Sequence, residues 1–217
     1  MFGIFLCHHK AGAGALCRQI KMCLKDRCRS KVFLDSDQLE DLDLIFDTVR
    51  CSTKNLVIVF SPGVLTRMWC AGEIVSAHVN NIPIVPVVLN DFPMPTVKEI
   101  EAIPEAWSDE QLATLQSFDI TPEMVIEAYK HVASLPTLAM NRYDQLKDKM
   151  EVLSKLARMC KLPMKHEMSS SSDWSKRNSV LAEKAPASPI AISGLVSNVE
   201  ALASCEIMQV MMRRKLQ

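Results

Sequence analysis

Trp69 and Glu73, within the run WCAGE, stand four residues apart, so on a helix they lie one above the other on one face. The apolar run 55–60 (NLVIVF) just upstream reads as a short β-branched strand buried on both sides. Ser61, Pro62 and Gly63 break that strand, and Ser61 or Pro62 can open the helix that follows. An acid beside an indole, near the carboxyl end of a parallel strand, is where open α/β sheets bind ligands. On spacing alone the plainer account is the stronger one: Trp69 packs on the sheet and Glu73 is a solvated helix acid.

Two further clusters carry possible chemistry. Residues 8–14 (HHKAGAG) read as a small-residue loop ahead of a helix at 15–25, where backbone N–H groups could face a phosphate. That loop lacks the GxGxxG spacing and the Lys-Ser/Thr of a P-loop, so a tight turn is expected there. Asp35, Asp37, Glu40, Asp41 and Asp43 could hold a divalent cation, but acids at a helix start also complement its dipole, and that is the safer reading. The eight cysteines form no CxxC pair and no zinc-finger spacing. They read as reduced, mostly buried small hydrophobes, as in a cytosolic protein.

The elements that must position these residues follow from periodicity. Apolar runs at 2–7, 31–35, 55–60 and 82–89 read as strands, separated by helical patterns at 15–25, about 45–51 and the WCAGE stretch. That β-α-β alternation predicts a parallel sheet with helices on both faces. Pro83 and Pro86 place the fourth run at a strand beginning or a sheet edge. Residues 96–103 suggest a short helix, and 121–134 a clear one, capped by Thr121 with Pro122 at its first position. Leu146, Met150, Leu153 and Ala157 form one stripe of a helix at 141–160 that packs on the domain or on a copy of itself.

The 217 residues make room for one filled domain and additional segments, or for two small domains. A formal net charge of +0 offers no field for nucleic acid or an anionic membrane. Low net charge and 13 methionines leave self-association open. No apolar run approaches the roughly 18 residues of a membrane span, and no basic lead precedes the apolar start, so a cytoplasmic location is expected. Residues 168–189 are rich in Ser, Pro and charge and read as a flexible linker.

With the strand, acidic segment, strand and WCAGE helix in place, the chain resembles a TIR (Toll/interleukin-1 receptor) domain. The stretches GIFLCHHK, VFLDSDQL, NLVIVFSPGVLTRMWCAGEI and NIPIVPVVL carry the resemblance. It implies a flavodoxin-like α/β fold of strand order 2-1-3-4-5. The fifth strand is expected in LATLQSF, or that segment is helical and leaves a four-stranded core. The implied organisation is a TIR-like domain over 1–136, an amphipathic helical extension over 137–162, a flexible linker over 163–189, and a terminal helix or disordered tail over 190–217.

The resemblance also implies one of two activities. The enzymatic branch cleaves NAD, as a substrate and with no cofactor, to nicotinamide and ADP-ribose or its cyclic isomer. Glu73 matches the essential glutamate of that branch, and Trp69, His8, His9, Lys10, Asp35 and Leu39 are the candidate substrate-binding residues. A carboxylate suits the chemistry, because breaking the N-glycosidic bond leaves an oxocarbenium-like ribose that it can stabilise. The other branch is non-catalytic: such a module self-associates or recruits other TIR domains. The usual glycine of the loop after the second strand is missing from QLEDLDLIF, and His8–His9 replace the usual aromatic. A phospho-receiver is excluded, because the first and third strands end in Cys7–His8 and Phe60–Ser61, without the acids it requires.

Overall fold

The computed structural model describes residues 1–35 and 44–165. Five strands form one parallel sheet in the order β2-β1-β3-β4-β5. They are β1 (Ile4–His8), β2 (Val32–Phe33), β3 (Leu56–Phe60), β4 (Ile84–Leu89) and β5 (Leu138–Met140). All of β1 and β3 is buried, as unbroken apolar runs in a doubly covered sheet must be.

The two faces carry separate cores. Ile4, Leu6, Val57, Val59 and Val87 pack beneath α1 (Lys10–Arg27) and α7 (Leu146–Met159). Phe5, Cys7, Ile58 and Phe60 point the other way, under α2 (Ile45–Ser52), α3 (Met68–Val79) and α6 (Pro122–Ser134). This period-two alternation commits each strand residue to one core. Two shorter helices, α4 (Val97–Glu101) and α5 (Asp109–Gln116), complete the second face. Thr96 and Ser108 close capping boxes on them, and Thr121 caps α6 ahead of Pro122.

Three expectations need correcting. The segment LATLQSF is helical, within α5 and the turn after it, yet the sheet still has five strands because β5 lies further on, at Leu138–Met140. Pro86 does not mark an edge: β4 pairs with β3 on one side and β5 on the other. Its ring is tolerated because the ladder with β5 begins only at Val87. The stretch 137–162 carries β5 and α7, whose Leu153, Leu156 and Ala157 share the core of α1, so this helix packs on its own domain. The linker and tail segments from 166 onward lie outside the described residues.

A further correction bears on the site. Residues 10–14 are not a loop but the first turn of α1, with His9 at its N-cap. A Cβ on Gly12 would stand 2.6 Å from the Pro62 carbonyl oxygen and 2.9 Å from Ser61 Oγ. Glycine there lets the turn after β3 cross directly over α1. Gly12→Ala is therefore expected to cost about 1–3 kcal/mol, since the obstacle is backbone that cannot swing aside. A lowered urea midpoint with unchanged slope checks it.

Candidate functional site

The site lies at the carboxyl ends of β1 and β3, where the turn 61–67 leads into α3. Gly63 makes that turn with φ +83, a left-handed conformation that suits glycine. His9 Nδ1 donates to the Pro62 carbonyl at 2.9 Å, and Trp107 Nε1 donates to the Thr66 carbonyl at 2.7 Å. The turn is thus held from both sides, and α3 starts at Met68 rather than at Ser61 or Pro62.

From α3, Cys70 and Glu73 face β1. They are three residues apart, hence on one helix face, and Cys7 of β1 stands opposite them. The Cys7 and Cys70 sulfurs and a Glu73 carboxyl oxygen all lie within 4.8 Å of one another. Cys70 donates its thiol to the His8 carbonyl at 3.3 Å, and Cys7 donates to the Cys70 carbonyl at 3.8 Å. Glu73 is only 5% exposed, and its Oε2 has no hydrogen-bond partner. A fourth group closes over them: Tyr129 of α6, fully buried, with an unpartnered hydroxyl.

Burial dominates the electrostatics. It pushes the Glu73 carboxyl up to about 8; a hydrogen bond from Cys7 pulls it down, the Asp35 charge raises it further and Arg67 lowers it. Burial likewise drives the Cys7 thiol well above its ordinary value, with Cys70 and Glu73 adding to the shift. For Cys70 the hydrogen bond with Cys7 acts downward, but burial and the nearby Glu73 and Asp35 leave it raised. The Tyr129 phenol is also pushed well up, by burial first and then by Cys70, Cys7 and Glu73. At neutral pH the cluster is therefore a set of protonated acids packed together.

The other candidate residues fall into two groups. His8 is buried, with Nδ1 3.1 Å from the Leu6 carbonyl and Nε2 4.0 Å from Asp35 Oδ1. Asp35, half-buried, leads into the undescribed segment 36–43, which contains Leu39 and four of the five acids named above. His9 and Lys10 open α1, and Lys10 is exposed. Trp69 is half-buried, and its ring faces Phe46 at 5.6 Å and Phe118 at 6.3 Å between centroids. So His8 and Asp35 come together, and Asp35 lies near enough to Glu73 to raise its pKa, whereas Trp69 belongs to an aromatic cluster with Phe46 of α2 and Phe118 after α5. Sequence reasoning missed Cys7, Cys70 and Tyr129; the spacing Cys70-x-x-Glu73 was the one local signal.

No helix among the described residues is long and apolar enough to cross a membrane. No family model matches the sequence, and no curated protein does. Solved structures do. The chain is similar to the TIR domains of the activated Roq1 resistosome, which directly recognises the pathogen effector XopQ. The match has a TM-score of 0.51 at 15% identity and covers 71% of this chain and 96% of that one. The five-stranded parallel sheet of order β2-β1-β3-β4-β5, with helices on both faces, is a TIR-like, flavodoxin-like fold.

Proposed function

We propose that this TIR-like domain is an NAD glycohydrolase acting in signalling, with Glu73 as its catalytic carboxylate. The observation that carries the reading is the Glu73 carboxyl, unpartnered at Oε2 at the carboxyl end of the sheet, beside Asp35. Electrons of the N-glycosidic bond leave with nicotinamide, which departs neutral. Ionised Glu73 stabilises the ribosyl cation until water, or the adenine of the same molecule, closes the reaction. The cationic pyridinium of NAD favours loss of the Glu73 proton, since an opposite charge lowers a buried acid's pKa. His9 and Lys10, at the start of α1, would face the pyrophosphate in this reading. NAD is here the substrate, and the cleavage step itself calls for no cofactor.

One observation favours a second reading. Glu73 is 5% exposed and Trp69 is engaged with Phe46 and Phe118, which suits a non-catalytic module that associates with its own copies or other TIR domains. Nicotinamide release from NAD by the purified protein separates the two, measured dilute and at high concentration because association can complete the site. Glu73→Gln is expected to lower release on the order of 10²–10³-fold, the loss typical when one preorganised electrostatic group is removed. Absence of release at every concentration would leave the assembly module.

A further inference from the structure

We propose that Cys7, Cys70 and Glu73 bind a zinc-class divalent cation beneath the carboxyl end of the sheet. Their three ligand atoms lie within 4.8 Å of one another. A tetrahedral ion with metal–sulfur bonds of about 2.3 Å and metal–oxygen bonds of about 2.0–2.2 Å needs little more than a side-chain adjustment to reach all three. The fold supplies them economically: two from one face of α3 at i and i+3, the third from β1 directly opposite.

A second observation points the same way. Glu73 Oε2 is buried without a hydrogen-bond partner, a state that costs free energy unless something ligates it. The Tyr129 hydroxyl, also buried and unpartnered, feels the charge of all three groups, and water or this hydroxyl would complete the fourth position. Two sulfurs select a thiophilic ion such as Zn²⁺ over Mg²⁺ or Ca²⁺. As the bonds form, each thiol and the carboxyl release a proton to solvent. Two thiolates offset the cation's charge and the carboxylate leaves the site one negative, close to the Arg67 guanidinium. A bound ion would also withhold Glu73 from any reaction, but the proposal does not rest on NAD cleavage.

The test uses the reduced, chelator-stripped full chain titrated with Co²⁺. A thiolate-to-cobalt charge-transfer band saturating at one equivalent per chain, and displaced by Zn²⁺, is expected. Cys70→Ser, with far-ultraviolet circular dichroism unchanged, should abolish the band. Glu73→Gln should weaken binding at least about tenfold. Cys51→Ser should leave it intact, since Cys51 is exposed and lies outside the cluster. No band in the native chain, or one that survives Cys70→Ser or Glu73→Gln unchanged, overturns the proposal. Absorbance reads the metal and nicotinamide reads the turnover, so the two readings fail separately.

Discussion

Glu73→Gln is expected to stabilise the folded protein by about 3 kcal/mol at pH 7, measured in the presence of a chelator. The native carboxyl is held at about 8 against an ordinary 4.5, chiefly by burial. Between those values the unfolded chain has lost the Glu73 proton while the folded chain keeps it. The folded state then binds more protons, so its stability falls as pH rises. The penalty is absent below about 4.5, grows by about 1.4 kcal/mol per pH unit, and levels off above about 8. Glutamine carries no such proton and imitates the shape of the neutral acid. Urea midpoints of the two proteins should nearly coincide at pH 4.5 and diverge steadily towards pH 8. A constant difference across that range would mean that the acid is ionised in the fold.

The same buried proton sets the second large effect. If ionised Glu73 stabilises the ribosyl cation, nicotinamide release at low NAD should climb nearly tenfold per pH unit from 6 and flatten above about 8. That is a rise of roughly 50-fold between pH 6 and 8. The groups facing Glu73 are Cys7 from β1, Cys70 from its own helix, Tyr129 from α6, Asp35 after β2 and Arg67 ahead of α3. Cys7, Cys70 and Tyr129 all have pKa values raised above their ordinary ones. Arg67→Gln removes the cation that lowers Glu73 and should move the profile upward in pH. Asp35→Asn removes a negative charge and should move it down. A flat profile would take the carboxylate out of the reaction.

Much of the sheet was legible because β1, β3 and β4 are unbroken, apolar and bounded by turn residues. Leu138–Met140 was not, since three residues without a β-branched side chain, just after Pro136, give no strand signal. The start of α1 was hidden by Gly12 and Gly14, which look like a loop until the turn at 61–62 is seen to press on the helix. At the site, the i, i+4 pairing of Trp69 and Glu73 placed the acid correctly on α3 but said nothing of depth. Its burial comes from Cys7, 66 positions earlier, and Tyr129, 56 later, which only the parallel topology brings together.

The two ends of the described part of the chain meet at one pole. A Cβ on Gly3 would stand 3.0 Å from Leu162, the Asn55 amide donates to both the Gly3 and Cys160 carbonyls, and Met164 bridges to Cys28. All of this happens ahead of β1 and β3, whereas Glu73 lies against the carboxyl-terminal half of β1, beside Cys7, about 13 Å or four strand residues away. The domain is therefore built like a plug: inserted into a host protein, or joined to a fluorescent reporter beyond residue 165, it is tethered by its back and keeps its chemical end facing outward.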